Sequence, residues 1–444
     1  MRRLLRYVAL AFYLAGRLRR VLRNARFRSP IQSKLAIFDR EGSQYLLGYC
    51  LPDVKACVLP VRGEEYLLGA RVLWYMLLEV RIFFLRTRFY RDIASRSFHV
   101  YLTACIRASG ARVVVTHIDN NHHFRWIAEF SGAATFCAVQ NGTRLPVEER
   151  WNTGEPILPL PEFFCYSQFD IDIFRRYEVP VKQFHPVGSL IAGYYRKRVP
   201  WSGSSREFDV CFISDWYPGV HRDFEIPELK RAILVLHYFL RRWTRNSKAR
   251  VCVATRSPNP GEKEYYKRLL GEATHLADFD PVSRSTYRIM DQSLVAVTSA
   301  STAGREAFGW GQRVLFSNFS GLAQYDPPTT GPWHINRADY SSFARALDDL
   351  LNMSDMDYEK QSGPARAYFM PYPDVPEIKF DRGVRETRKA RQRADRRLIP
   401  PTGGIFSQKM NCVEYRSLPR KPPAQARKPL LGSPPSPRGG PTNS

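Results

Sequence analysis

The sequence predicts an α/β protein with two doubly wound parallel-sheet domains that face a cleft. Buried apolar strands alternate with amphipathic helices through residues 31–380, and polar loops follow several strands. This alternation breaks once, at a basic stretch rich in Pro, Gly and Ser, and then starts again. Ligands of such sheets bind outside the carboxyl ends of the strands, so the chemistry is expected in the polar loops.

The first half of the chain alternates between strands and helices. The predicted strands are 34–40, 56–61, 111–120, 134–144 and the first part of 162–180. The predicted helices are one or two within 66–110, one that ends at Gly132, and the second part of 162–180, with residues 183–197 closing the region. A parallel sheet with helices on both faces accounts for this order of elements.

The second half of the chain shows the same alternation of strands and helices. Strands are predicted at 209–216, 249–257 and 294–298, and helices at 226–245, 261–273, 285–292 and after residue 302. The predicted organisation has five segments: a basic amphipathic helix (1–30), a first domain (31–195), a linker (196–208), a second domain (209–380) and a disordered basic, Pro-rich tail (381–444).

The positive charge lies mainly at the two ends of the chain. The formal net charge is +25, of which residues 1–30 hold +9 and residues 381–444 hold +11, leaving about +5 for the body. This distribution argues against specific nucleic-acid binding by the folded body. The apolar centre of residues 1–30 is too short to span a bilayer, which needs ~20 residues. A helix on an anionic membrane surface is favoured, with a helix packed on the first domain as the alternative.

The eight cysteines indicate a reducing compartment. No Cys-x-x-Cys pair occurs, and most cysteines lie inside apolar runs, as buried free thiols do. We therefore expect no disulfide framework and no zinc site. The predicted location is cytoplasmic, with peripheral binding to the inner membrane face left open.

Three strand-end loops of the first domain carry candidate site residues. A carboxylate at a strand end can accept a proton from a sugar hydroxyl, so Asp119 is the predicted general base. The alternative is that Asp119 caps the following helix. His117, His122 and His123 lack an acidic partner at ligand spacing, so no metal is predicted there. The other candidates in these loops are Asn120, Gln140, Asn141, Gly142, Arg144, Gly188 and Ser189.

The stretch VAVTSASTAGREAFGWGQRVLF, residues 295–316, is the main candidate site of the second domain. A strand ends there, hydroxyl side chains follow at Ser299, Ser301 and Thr302, and a helix starts near Gly304. The positive end of that helix and its first amides favour an anion such as a phosphate. Glu306 is placed in the first turn, where it reaches a ribose or closes a capping box. Plain helix capping remains the alternative for the whole stretch.

Two arginines are candidates for holding a diphosphate beside this helix. Arg256 follows the strand at 249–257, where it is predicted to pair with phosphates; neutralisation of Glu262 or Glu264 on the surface is the alternative. Arg305 is predicted to point outward.

The order of the motifs resembles a known family. VQNGTR at 139–144, FHPVGSL at 184–190 and STAGREAFGWGQRVLFSN at 301–318, followed by GPWHINRADY, are similar to the bacterial surface carbohydrate biosynthesis proteins. Those proteins look like glycosyltransferases with two Rossmann-like domains, the GT-B type. The resemblance covers residues 33–375 and excludes both basic ends of the chain.

The resemblance implies a division of labour between the domains. The first domain would bind the acceptor, with Asp119, His117 and Asn141 as the catalytic set. The second would bind a nucleotide-sugar donor, its phosphates held by the 299–304 loop and Arg256, with Glu306 on the ribose or sugar. The remaining loop residues of the first domain would line the acceptor side of the cleft.

Metal and cofactor requirements are expected to be absent. Asp-x-Asp spacing occurs at 278–280 and 170–172, but neither pair lies convincingly at a strand end. The expected partners are a nucleotide sugar, a glycan or lipid-linked acceptor and an anionic membrane surface, with no specific nucleic acid. Two other hypotheses stay open: a nucleotide-sugar epimerase or polyol-phosphate transferase of the same fold, and a basic membrane or nucleic-acid binding protein with an idle cleft.

Overall fold

The structure is a computed structural model that describes residues 19, 21–51, 54–84, 93–143, 158–199, 206–216, 227–280 and 285–371. Its architecture rests on two six-stranded parallel sheets, which confirms the predicted fold class. Most of the predicted N-terminal helix, the tail at 381–444, the centre of the linker and Arg144 lie outside the described residues.

The first sheet is built from residues 35–186. In chain order the strands are β1 (Ala25–Arg26), β2 (Leu35–Ile37), β3 (Ala56–Val58), β4 (Tyr66–Leu67), β5 (Val113–Thr116), β6 (Thr135–Val139), β7 (Leu160–Cys165) and β8 (Val181–Pro186). β1 and β4 form a separate parallel pair. The other six form a parallel sheet in the order β3-β2-β5-β6-β7-β8. The reversal of strand order falls between β2 and β5.

The helices of this half are α1 (Ser43–Tyr45, continued by a π-helix over Leu46–Cys50), α2 (Ala70–Leu78), α3 (Val80–Phe83), α4 (Ile93–Ser109), α5 (His122–Phe130), α6 (Gln168–Arg176) and α7 (Leu190–Arg198). Two segments that are predicted as helix contain a short strand. Residues 66–67, predicted as helix, form β4, and the segment predicted as an N-terminal helix to residue 30 turns into β1 at Ala25. Both differences have one cause, since each strand supplies the other's hydrogen-bonding partner.

The second sheet is built from residues 208–335. Its strands are β9 (Phe208–Ile213), β10 (Val251–Ala254), β11 (His275–Ala277), β12 (Ser293–Thr298), β13 (Arg313–Ser317) and β14 (His334–Ile335), in the order β11-β10-β9-β12-β13-β14. The helices are α8 (Pro227–Asn246), α9 (Pro260–Leu270), α10 (Ser285–Asp291), α11 (Thr302–Gly309), α12 (Tyr340–Asn352) and α13 (Asp355–Phe369). Numbered along the chain, this order is 3-2-1-4-5-6, that of dinucleotide-binding sheets, with the reversal between β9 and β12.

Short polar residues decide where the helices start. Among the described helices, seven begin after a side chain that accepts a hydrogen bond from an amide of the first turn, which satisfies a donor that has no intrahelical acceptor. These N-cap residues are Asn121, Ser167, Ser189, Asn259, Ser301, Asp339 and Ser354. Because β5 and β13 are buried along their whole length, their residues read as continuous apolar runs interrupted only at the strand ends.

α7 packs against both sheets. Leu190 and Tyr194 belong to the core of the first sheet, whereas Ala192 and Tyr195 belong to that of the second. Arg196 then forms a bidentate ion pair with Asp291 at the end of α10. The predicted linker, 196–208, is therefore shorter in the structure, since α7 continues to Arg198 and β9 begins at Phe208.

A buried ion pair connects the two sheets. Arg305 in α11 and Asp170 in α6 are 2% and 3% exposed, and two guanidinium nitrogens contact the two carboxylate oxygens at 3.0 and 2.5 Å. The guanidinium also donates to the Ser167 hydroxyl and to the Phe369 carbonyl at the end of α13. The arginine therefore ties together one helix of the first sheet and two of the second.

Removing one partner of this pair is expected to destabilise the protein strongly. Asp170→Ala leaves the Arg305 charge buried without its carboxylate, which costs about 3–5 kcal/mol. Replacing both residues, as Asp170→Leu with Arg305→Met, should recover most of that loss. Urea denaturation followed by circular dichroism measures the free energies of unfolding.

The exposed pair Arg28–Glu65 provides the matched control. Glu65→Ala should change the free energy of unfolding by less than ~1 kcal/mol. If Asp170→Ala behaves like Glu65→Ala, the buried pair does not hold the sheets together.

Candidate functional site

The reversal of strand order in the second sheet places a polar pair at the carboxyl ends of β9 and β12. Asp215 follows β9, and Ser299 follows β12. The Ser299 hydroxyl and amide both donate to one Asp215 carboxylate oxygen, at 2.8 and 3.3 Å. Burial raises the pKa of the Asp215 carboxyl, while the Ser299 hydrogen bonds and the charge of Arg256 act in the opposite direction. This is the edge at which parallel α/β sheets bind their ligands.

The first turn of α11 lies beside this pair and contacts the first sheet. Ser301 caps the helix by accepting a hydrogen bond from the Ala303 amide at 3.3 Å, as the capping alternative predicted. The Thr302 hydroxyl accepts a hydrogen bond from the Thr143 amide at 2.9 Å and lies 3.2 Å from the Thr143 hydroxyl. Because Thr143 follows β6, the strand-end loops of the two sheets meet at the start of α11.

A cavity of about 180 Å³ opens at this junction. Its polar wall combines hydroxyl groups of both sheets, from Thr143, Ser301 and Thr302, while phenylalanine rings and Pro327 supply the apolar wall. The volume is below the ~300–1,000 Å³ usual for small-molecule sites. The described cavity therefore matches one phosphate or sugar group in size, and Ser301 and Thr302 at the start of α11 line it.

Asp326 contributes a carboxylate to the same cavity. It follows the short helix Ala323–Tyr325, and its Oδ1 accepts hydrogen bonds from Asn318 at 2.8 Å and from His334 Nε2 at 2.9 Å. These two contacts hold the carboxylate in place beside the hydroxyl wall. A fixed carboxylate of this kind can accept hydrogen bonds from the hydroxyl groups of a ligand.

Gly304 is predicted to let the backbone approach a ligand closely, because it has no side chain, but the structure gives the glycine a different role. A Cβ atom at this position would lie 2.5 Å from Thr298 Cγ2 and 3.5 Å from Ile213 Cδ1. The missing side chain therefore allows α11 to pack closely on β12 and β9, and it does not open space for a ligand. Gly304 matters to the site because it sets the position of the helix.

The predicted location of Glu306 is also wrong. With Ser301 as N-cap, the capping-box position falls on Gly304, and the first turn of α11 contains no acidic residue. Glu306 is buried, and its carboxylate accepts hydrogen bonds from the Ser189 hydroxyl and from the Tyr287 hydroxyl. In this structure Glu306 connects α11 to α7 and α10 and is withdrawn from the cavity.

Of the two candidate arginines, the structure contradicts the prediction for Arg305 and leaves the phosphate-binding role of Arg256 a prediction. Arg305, predicted to point outward, is buried in the ion pair with Asp170. Arg256 is exposed, and β9 separates its strand from β12. Its backbone amide donates to Glu262 Oε1 at 2.7 Å, so Glu262 fixes the loop that carries Arg256. The Arg256 charge still reaches Asp215, as its effect on that pKa shows.

Asp119 joins two strand-end loops of the first sheet. It follows β5, is fully buried, and its Oδ1 accepts a hydrogen bond from the Asn141 amide at 3.2 Å. The capping alternative for Asp119 is wrong, because Asn121 caps α5. A buried carboxylate does not reach an acceptor hydroxyl until the loop over it moves. Asp119 is nevertheless connected to the cavity through one loop. Asn141, whose amide donates to Asp119, lies two residues before Thr143, which lines the cavity.

The other candidate site residues of the first domain lie partly in its core and partly on its surface. His117 is buried against the Tyr45 ring, beneath the turn at Gly42. Gln140 is buried and donates to Asp170 Oδ1 at 2.9 Å and to the Gly142 carbonyl at 3.0 Å. Asn120 is exposed.

The 188–189 loop is set by backbone geometry. Gly188 has a φ of +73°, which a residue with a side chain rarely adopts, and its amide donates to the Tyr166 carbonyl at 2.9 Å. This turn orients Ser189 so that its hydroxyl both caps α7 and reaches Glu306.

Asp215 and Asp326 were missed by sequence reasoning. Asp215 carries the same signal as Asp119, an acidic residue directly after a buried strand, in the stretch DVCFISDW. Asp326 lies in the polar loop that follows β13, so the strand-end argument extends to it as well. Among the described residues, no group of three or more His, Cys, Asp or Glu side chains is arranged to hold a metal ion. Asp170 and Asp172 both lie in α6, and Asp278 is paired with Lys263.

Comparisons with known proteins yield structural neighbours only. No protein-family model and no curated protein matches the sequence. UDP-GlcNAc 2-epimerase from Neisseria meningitidis, solved with UDP-GlcNAc, superposes with a TM-score of 0.48 at 11% identity, over 80% of this chain and 99% of its own. A glycosyltransferase from Rickettsia africae gives 0.46 at 10% identity, over 81% and 98%. The wall teichoic acid polymerase TagF gives 0.40 at 12% identity, over 90% and 98%.

The fold of the present chain is established by its own strand order and register.

The close packing of α11 on β12 can be tested at Gly304. Gly304→Ala places a methyl group against Thr298 Cγ2, and overpacking of this kind costs about 1–3 kcal/mol. Adding Thr298→Ser removes that Cγ2 methyl and should recover part of the loss. Thermal unfolding of the single and double variants provides the measurement. Thr298→Ser alone is the control, and a Gly304→Ala variant as stable as the parent protein would contradict this packing.

Proposed function

We propose that this protein is a glycosyltransferase that transfers a sugar from a nucleotide-sugar donor to a glycan or lipid-linked acceptor of a surface polysaccharide. The observation that carries the proposal is the cavity at the start of α11, where hydroxyl groups of both sheets meet the helix N-terminus at the strand-order reversal. A site to which both domains contribute suits a transfer between two substrates, because each domain can bind one of them. The motif resemblance adds the class of substrate.

The donor phosphates are proposed to lie at the first turn of α11. The helix dipole and the first-turn amides favour negative charge there. The hydroxyls of Ser301 and Thr302 line the cavity and can donate hydrogen bonds to phosphate oxygens. Arg256 is proposed to swing toward the second phosphate, since it is exposed and its charge already acts on Asp215. These groups stabilise the charge that develops on the departing nucleotide, so the transfer needs no obligatory metal ion.

The sugar is proposed to lie in the described cavity against Asp326. Its size suits a single sugar ring better than a whole nucleotide sugar. The Asp326 carboxylate would accept hydrogen bonds from sugar hydroxyls, while Asn318 and His334 keep it oriented. The nucleoside would then extend along the carboxyl edge of the second sheet toward Asp215 and Arg256.

The acceptor is proposed to enter from the first sheet, with Asp119 as the base. The Asn141 amide holds the Asp119 carboxylate in the described state. Movement of the 140–143 loop would break the hydrogen bond from the Asn141 amide to Asp119 and also alter the Thr143–Thr302 contact. Donor binding at Thr302 is thereby proposed to be coupled to exposure of the base.

A panel of UDP-, GDP-, CMP- and CDP-linked sugars tests donor binding by thermal shift. One nucleotide class should raise the melting temperature, and Arg256→Gln should weaken its affinity on the order of tenfold, because a charge-assisted contact to phosphate is lost. Arg268→Gln removes another exposed arginine, on α9, and should leave the affinity unchanged. No shift with any donor, or equal effects of the two variants, would contradict the donor site.

The role of Asp119 is tested by Asp119→Asn. The asparagine oxygen can still accept the hydrogen bond of the Asn141 amide, so the loop and the donor affinity should be preserved. Turnover should fall by roughly 10²–10⁴-fold, the usual effect of losing a general base. Transfer is followed with a radiolabelled donor and glycan acceptor. Turnover close to that of the parent protein would remove Asp119 from this role.

The same assay separates the competing reactions. An epimerase converts the donor without an acceptor, whereas a glycosyltransferase or polyol-phosphate transferase requires one. Release of free nucleotide only when an acceptor is present supports the proposal, and acceptor-independent conversion of the sugar favours the epimerase. Higher turnover with a polyol-linked donor than with any sugar-linked donor would identify the protein as a polyol-phosphate transferase.

A further inference from the structure

Helices α2 and α3 are apolar on their exposed side as well as on their buried side. Val72 is fully buried, and Tyr75, Met76 and Phe83 pack partly buried against the core of the first sheet. A helix that is apolar around its whole circumference is normally covered on every side. The outer side of α2 and α3 is uncovered in the described part of the chain.

This outer side forms a contiguous patch, which we call the α2 face. Positions 73, 74, 77 and 78 follow the spacing of one helix face, and α3 continues the patch directly. Its members, with their exposed fractions, are Leu73 (48%), Trp74 (60%), Leu77 (69%), Leu78 (52%), Val80 (49%) and Phe84 (68%). Apolar surfaces of this kind on a soluble protein usually mark an interaction site.

The β1 segment brings basic and aromatic side chains to the start of α2. β1 pairs with β4, and the Gly69 amide donates to the Arg28 carbonyl at 3.0 Å, directly before α2 begins. Phe27, between two exposed arginines, is 85% exposed. The α2 face thus has an Arg-Phe-Arg border that is held in place by backbone hydrogen bonds.

Positive charge predominates around the α2 face. Arg71 and Arg81, on α2 and α3 themselves, are exposed. Of the acidic residues in this part of the chain, Glu65 pairs with Arg28, Glu79 is buried in ion pairs with Arg81 and Arg107, and Glu64 is exposed. Arg23, which is exposed two residues before β1, adds a further positive charge.

We propose that the α2 face docks onto an anionic lipid bilayer, with Trp74, Leu77 and Phe84 entering the interfacial layer and the bordering arginines binding lipid headgroups. Tryptophan beside leucine and phenylalanine, bordered by arginine, is the composition of interfacial membrane-binding helices. A second copy of this chain is a poorer occupant, because it would bring two clusters of arginine together. No helix within the described residues is long and apolar enough to cross a membrane.

This inference is independent of the proposed reaction, because it concerns only where the protein is held. Co-sedimentation of the full chain with vesicles tests it. The protein should sediment with vesicles of equal parts phosphatidylcholine and phosphatidylglycerol, and only weakly with phosphatidylcholine alone. Trp74→Glu with Leu77→Glu should weaken binding to the anionic vesicles by at least about tenfold, since two apolar anchors are lost and two negative charges are gained.

Tyr238→Glu is the matched control, since Tyr238 is a 57% exposed apolar residue on α8 in the second half of the chain. It should bind vesicles like the parent protein, and circular dichroism should show that all variants are folded.

Arg71→Glu with Arg81→Glu should weaken binding to the anionic vesicles and make that binding less dependent on salt concentration. Equal binding by the Trp74/Leu77 variant and the parent would overturn the proposal, as would equal binding to neutral vesicles. A parent dimer that this variant dissociates would assign the α2 face to a second copy.

Discussion

The buried ion pair between Arg305 and Asp170 is the constraint on which the arrangement of the two sheets depends. A desolvated charge is tolerated only when its partner and further hydrogen-bond acceptors surround it. Ser167 and the Phe369 carbonyl complete this environment, so α6, α11 and α13 must keep one relative position. The same guanidinium lies in the wall of the cavity, which links the stability of the two-sheet assembly to the geometry of the site.

The polar residues at the strand ends serve mainly to hold loops in place. Ser299 is bound to Asp215, Thr302 to Thr143, and Ser189 to Glu306. A ligand therefore meets loops whose hydroxyls and carboxylates already have partners, and binding must exchange some of these contacts. Such exchange is a physical route by which the proposed donor binding at one sheet would change the contacts of Asp119 at the other.

The sequence predicts the two-sheet fold well because buried parallel strands are continuous apolar runs bounded by polar loops. The start of α11 was also predictable, since Ser301 is a strong N-cap residue. The positions of Arg305, Glu306 and Gly304 were not. Whether an arginine is buried, or a glycine is needed for packing, depends on residues more than a hundred positions away or on the neighbouring strand. Local patterns carry no information about such partners.

In the proposed function, a nucleotide's phosphates bind where the loops of both sheets meet at the start of α11. Hydrogen-exchange mass spectrometry of the full chain, with and without uridine diphosphate and cytidine diphosphate in turn, tests it most directly. The account predicts slower amide exchange in peptides that cover residues 299–306 and 140–143 with the nucleotide that binds. Protection confined to other parts of the chain, or absent with both nucleotides, would contradict it.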